Sequence, residues 1–166
     1  MTEPAVVRIE PWGKDDLPLL EALLGDPAMM EHLGGPESPV KIRERQARYE
    51  PADSGMFKIV LAGGKAVGSV GYWPRSWRGD EINEIGWSVL PAFQRRGIAR
   101  MATALMIERA RAEADRRFLH AFPSVENPPS NALCRALGFT LLGPVEAEYP
   151  PGAVLLVNDW RLDLSR

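Results

Sequence analysis

With 166 residues, 45% of them hydrophobic and 25% charged, the chain has an ordinary globular balance and a length that suits one domain over residues 1–166. A formal net charge of −2 argues against a nucleic-acid partner, whose footprint is a strongly basic surface. The single cysteine, Cys134, excludes an intrachain disulfide, and the absence of a long apolar run at Met1–Glu10 or of any stretch of roughly 18–20 apolar residues argues against a signal peptide or a membrane partner, so the cytoplasm is the expected setting.

The first expected strand is Val6–Glu10. Lys14–Leu24 follows as a helix, with Leu17, Leu20, Leu23 and Leu24 at helical spacing. Asp26-Pro27 opens a short second helix that Gly34-Gly35 stops, and Ser38-Pro39 opens a polar helix to about Tyr49. Met56–Ala62 and Lys65–Trp73 read as a hairpin around Gly63-Gly64, and Pro74–Asp80 as a polar loop carrying Trp77. A fourth strand is expected over Ile82–Leu90, the longest helix over Ile98 to about Ala114, and a fifth strand over Phe118–Val125. Ser130 is the expected cap of a short helix ending at Gly138. Phe139–Val145 and Val154–Leu162 are the last strands, with Pro144–Gly152 a loop placed to shape an acceptor site. The strand–helix–strand unit from Ile82 to Val125 implies a parallel pair, so the fold class is α/β (α+β): a mixed sheet with helices on both faces.

The segment Leu90-Pro-Ala-Phe-Gln94-Arg95-Arg96-Gly97-Ile98-Ala99 links the fourth strand to the longest helix. The first amides of a helix lack internal partners and, with the helix dipole, form an anion site. Gly97 and Ala99 keep a close approach open, and Arg95 and Arg96 add positive charge. A pyrophosphate fits such a loop; a plain turn with surface arginines also satisfies the pattern. The spacing is neither that of the dinucleotide fingerprint nor that of the ATP phosphate loop.

The run Gln94-Arg-Arg-Gly97-Ile-Ala99 resembles the acyl-CoA signature [QR]-x-x-G-x-[GA] of the GNAT superfamily, the GCN5-related N-acetyltransferases. Asn127-Pro-Pro-Ser130-Asn-Ala-Leu-Cys-Arg-Ala-Leu-Gly138-Phe139 resembles a second motif of that family, and Glu84-Ile-Gly-Trp87 resembles the E-I-G-[YW] of the RimJ/RimL-like branch. The resemblance runs over nearly the whole chain. It implies a mostly antiparallel sheet whose fourth and fifth strands are parallel and splay apart to admit the pantetheine arm of acetyl-CoA, with no metal. Backbone groups of Trp87, Ser88 and Val89 would pair with that arm, and Gln94, Arg95, Arg96, Gly97, Ile98 and Ala99 would hold the pyrophosphate. Asn127 would contact the arm from the other side. The implied reaction is acetyl transfer to a primary amine, on a small molecule or a protein N-terminus, by direct attack in a ternary complex. The family also allows a homodimer.

Glu84 is the candidate base or amine-binding carboxylate, with an ion-paired strand residue as the plainer role. Many members carry a tyrosine acid seven residues after the asparagine; here that position is Cys134. Others carry a glutamate on the fifth strand; here Phe122 stands there. Ser130 is left as the candidate donor to the departing thiolate, alongside its role as a helix cap. Cys134 reads as a helix-packing residue. His32 and His120 fit no metal-ligand spacing, and His120 alternates among apolar neighbours. Trp12, Trp73 and Trp77 suit either a substrate pocket or the core. Two other readings stand beside the enzyme: an acyl-CoA-binding sensor without catalysis, and a different α/β domain holding ATP or NAD.

Overall fold

The computed structural model describes residues 6–148 and 152–166. Seven strands form one sheet in the order β1-β2-β3-β4-β5-β7-β6. They are β1 (Val7–Pro11), β2 (Met56–Leu61), β3 (Ala66–Trp77), β4 (Asp80–Val89), β5 (Phe118–Ala121), β6 (Thr140–Glu148) and β7 (Val154–Asp163). Every pairing is antiparallel except β4 with β5. The helices are α1 (Leu17–Leu24), α2 (Pro39–Tyr49), α3 (Ile98–Glu113) and α4 (Pro128–Ala136). No helix among the described residues is long and apolar enough to cross a membrane.

Two hydrophobic clusters hold the layers together. One packs Ile98, Ala102, Met106 and Ala110 of α3 and Cys134 of α4 against sheet residues that include Phe57, Tyr72 and Val89. The other packs Leu20 and Leu23 of α1 and Ile42 of α2 against Trp12, Met56, Trp73 and Leu90. Met56 and Phe57, Tyr72 and Trp73, and Val89 and Leu90 are neighbours in sequence that belong to different clusters. Successive strand side chains point to opposite faces, so the two clusters lie on opposite faces of the sheet. Trp12 is a core residue: its indole N–H donates to Gln46 Oε1 at 2.9 Å, and its ring meets Tyr49 edge-on.

Several expectations are corrected by pairing. Residues 27–34 form successive turns, not a helix, although Asp26 Oδ1 accepts the amides of Ala28 and Met29 as a cap would. Pro74–Asp80 is not a loop. β3 runs on to Trp77 and β4 begins at Asp80, joined by Arg78-Gly79, both at positive φ (49° and 83°), as a tight hairpin turn requires. Pro74 is tolerated because β2 flanks β3 only as far as Gly71, leaving that side of the strand without a neighbour.

β5 ends at Ala121 instead of Val125; beyond it a single bridge joins Ser124 to Val157. The expected loop at Pro144–Gly152 is largely strand, because β6 pairs with β7 from Thr140↔Arg161 to Glu148↔Val154. Tyr149, Pro150 and Pro151 of that expected loop lie outside the described residues. The helix expected from Lys14 begins with a 3-10 turn over Lys14–Asp16, and α1 proper starts at Leu17.

Candidate active site

β4 and β5 are joined at two positions only, Asn83↔Leu119 and Glu84↔His120. β4 continues to Val89 with β3 on one side and no strand on the other. The expected splay is therefore present. Its edge polarity follows from two contacts: the Leu90 amide donates to the Val67 carbonyl of β3, and the Val89 carbonyl accepts Gln94 Nε2 at 2.9 Å from the far side. By alternation, the main-chain groups of Trp87 and Val89 point into the gap. Those of Ser88 point to β3, where a side chain at Gly68 would collide with the Ser88 carbonyl. Ser88 Oγ also bonds Ser69 Oγ at 2.8 Å. Of the three residues expected to offer backbone to an arm, Trp87 and Val89 are so turned and Ser88 is not.

The loop after β4 is a 3-10 turn over Pro91–Phe93, then Gln94–Gly97, then α3. Arg95 and Gly97 have φ of 64° and 76°, and Gly97 is the N-cap of α3 without a side-chain cap bond. The first amide of α3 to find a helical acceptor is that of Met101, which bonds the Gly97 carbonyl. The amides of Arg95, Arg96, Gly97, Ile98 and Ala99 have no acceptor among the described residues. They lie at the positive end of a sixteen-residue helix. Ile98 is buried and anchors the turn, whereas Gln94, Arg95, Arg96 and Gly97 are exposed. Arg96 lies over the Phe93 ring. The Gln94 side chain closes the loop onto Val89 instead of facing outward, so its contribution is to shape the turn.

The gap opens into a cleft of about 490 Å³ whose walls include Glu84, Gly86, Trp87, Asn127 and Ser130. Glu84 is half-buried there, its side chain 18% exposed, and ion-paired with Arg75 through Nη1 and Oε1. Burial pushes the Glu84 carboxyl above its ordinary range, and the Arg75 charge pulls it back only in part. Arg75 is fixed over the rings of Trp77 and Phe122, 4.8 and 4.6 Å from their centroids. Trp73 lies across Gly86, where any side chain would strike its ring.

β3, β5 and β7 are tied together by a network around buried Asp159 that local sequence reading missed. His120 Nδ1 lies 2.7 Å from Asp159 Oδ1, and the Trp77 indole N–H donates to Asp159 Oδ2 at 3.1 Å. The imidazole stacks on Phe122. His120 is thus paired with a buried carboxylate, not set among apolar groups alone. The one sequence signal is Asp159 itself, an acidic residue flanked by the apolar Val157 and Trp160 on β7.

Asn127, not Ser130, caps α4: Asn127 Oδ1 accepts the Ser130 amide at 3.3 Å. Both residue types are good caps, and the position is decided by Pro128 and Pro129, which supply the first two helical residues. Ser130 is therefore inside the first turn, half-buried, with its side chain on the cleft wall. Cys134 is fully buried against the core, and that burial pushes its thiol up to about 12. No group of three or more His, Cys, Asp or Glu side chains among the described residues is arranged to hold a metal ion.

A family model for the acetyltransferase (GNAT) domain matches residues 7–140, and the chain belongs to that family of acetyltransferases. Among solved structures, ribosomal-protein-alanine N-acetyltransferase from Brucella melitensis is 26% identical, with a TM-score of 0.76 over 94% of this chain and 99% of that one. Spermidine N-acetyltransferase from Vibrio cholerae, solved with CoA and spermine, is 18% identical, with a TM-score of 0.79 over 96% of each chain. The yncA protein of Salmonella typhimurium, solved with its cofactor acetyl-CoA, is 22% identical, with a TM-score of 0.76 over 99% of this chain and 96% of that one. No curated protein sequence matches the chain.

Proposed function

We propose that this protein transfers the acetyl group of acetyl-CoA to a primary amine, on a small molecule or a protein N-terminus, by direct attack in a ternary complex. The carrying observation is that the open edge of β4 and the half-buried carboxylate of Glu84 meet in one cleft, and that the same strand runs on through a short turn into the amide-rich start of α3. Acetyl-CoA, when bound, supplies an activated thioester. The amides of Arg95 to Ala99 would hold its pyrophosphate with the charges of Arg95 and Arg96 alongside. Trp87 and Val89 would pair with the pantetheine arm as an added strand does, and Asn127 and Ser130 stand on the opposite wall.

The acceptor must arrive neutral at the nitrogen. An α-amine has a reference pKa of about 7.7–8.0 and a lysine-like amine one near 10.4. Glu84, raised by burial toward the working pH, takes that proton. The amine then forms the C–N bond as the C–S bond breaks, and the surplus proton on nitrogen passes to the thiolate. The Trp87 amide, pointing into the gap, stabilises the charge that gathers on the carbonyl oxygen. Ser130 is the donor placed for the sulfur. The reading sets the reaction on one domain in the cytoplasm and uses no metal.

Thiol release from acetyl-CoA, screened against a broad amine library, tests the reading; no release with any amine would remove it. A second reading, an acyl-CoA sensor without catalysis, rests on Cys134 standing where many relatives carry a tyrosine acid. It predicts stabilisation by acetyl-CoA together with that empty screen.

A further inference from the structure

The acceptor side of the cleft carries a charge pattern that discriminates among amines. Glu84, its half-buried carboxylate, is already matched by Arg75. A polycation must displace a guanidinium held in place by two aromatic rings to reach it, and the other lining carboxylate, Glu148, is exposed and accepts the Gly152 amide. Arg75 itself is under-used. A guanidinium has five N–H donors in a fixed fork, and among the described residues only Nη1 of Arg75 has an acceptor. Its side chain is 32% exposed and borders the cleft. The remaining walls set apolar Met29, Leu33, Trp73, Leu155 and Val157 beside His32, Arg45 and the exposed Glu148.

A ligand matched to this surface has an anion beside its amine and an apolar body beyond. We infer that the acceptor is a small zwitterion, an α-amino acid with an apolar side chain, whose carboxylate bonds the free edge of Arg75 while its amino group lies at Glu84. The pair Arg75–Glu84 then opens onto a pair of opposite order, so that neither of these two charges is left uncompensated. An α-ammonium next to a carboxylate gives its proton to Glu84, and the bond changes are those of the reaction above. The apolar part of the wall receives the side chain. Arg75 is a specificity-determining residue in this arrangement. The inference rests on Glu84 being the group that receives the amine.

Matched acceptor series test it. Thiol release from acetyl-CoA is measured with leucine, phenylalanine and tryptophan, with their carboxamides, and with their decarboxylated amines, beside spermidine and an alanine-led tripeptide. A charge-assisted bidentate contact predicts kcat/KM for the free acids about tenfold or more above the amides and amines. In Arg75→Gln that ratio falls toward one, mainly through KM of the acids. Arg75→Lys, which keeps the charge without the fork, gives an intermediate ratio and guards against a folding defect, as does stabilisation of both variants by CoA. Equal rates for acids and amides, a preference for spermidine or the peptide, or a ratio that survives Arg75→Gln overturns the inference while leaving the acetyltransferase reading intact. No release in any arm overturns both.

Discussion

Glu84 and His120 are register partners at the last rung of the parallel ladder between β4 and β5. Past that rung the strands part, so the carboxylate sits where the gap begins. Asp159 holds the imidazole from β7 and Arg75 holds the carboxylate from β3. Three strands thus position one reactive group.

Glu84→Gln keeps shape and hydrogen bonding but cannot take a proton. Acetyl-CoA binding persists, measured as thermal stabilisation, and kcat falls by about 10²–10⁴-fold. In the wild type, burial sets the Glu84 carboxyl above the ordinary carboxylate range. Activity therefore rises with pH through a midpoint above 4.5, as the carboxylate form accumulates. Arg75 opposes that shift, so in Arg75→Gln the same limb moves to higher pH, never lower. An unchanged or downward-shifted limb in kcat–pH profiles of the two proteins would contradict the pairing.

Gly97→Glu places a side chain at φ of 76° and a carboxylate beside five unpartnered amides. The left-handed backbone costs about 1–2 kcal/mol, which at this chain length is a fall of roughly 2–8 °C in melting temperature. The larger effect is on the ligand. CoA at about 100 times its wild-type dissociation constant stabilises the parent by roughly 2.7 kcal/mol and leaves the variant unmoved. A variant still stabilised by CoA would show that the start of α3 is not the pyrophosphate site.

His120→Ala leaves the Asp159 carboxylate, 3% exposed, with the Trp77 indole as its remaining partner. Stripping a buried carboxylate of such a partner costs about 3–5 kcal/mol, read from urea unfolding. A loss below about 1 kcal/mol, in the range of an exposed pair, would mean that the network is open to water.

Cys134 is inert in the folded protein, because burial pushes its thiol up to about 12. Disulfide-exchange reagents at pH 8 label it only after unfolding, and Cys134→Ala retains turnover while losing a little packing. Steady-state kinetics then show intersecting patterns of a ternary complex. Parallel patterns, with a labelled acyl-enzyme trapped at Cys134, would replace direct transfer with a two-step route.

The legible parts of this chain are those whose cause is local. Gln94 to Ala99 could be placed as a strand-to-helix turn because Gly97 and the polar run before it mark the helix start within a few residues. Ser38 could be placed as the cap of α2 because the cap and its amide lie three residues apart. Local signals misplace what pairing decides. Pro74 reads as a loop until β4 is seen beside it, and Ser130 as a cap until Asn127 is seen to hold its amide. Arg75 and Glu84 are nine residues apart, and His120 and Asp159 thirty-nine. These partners meet only because hairpin register and strand order bring them together, and no periodicity within one segment carries that information. Residue types and spacing alone carried the resemblance to the family and marked the strand-to-helix turn at Gln94–Ala99. Tertiary structure alone decided which charges share the cleft, because the partner and burial of an ionisable group are set by strands distant in the chain.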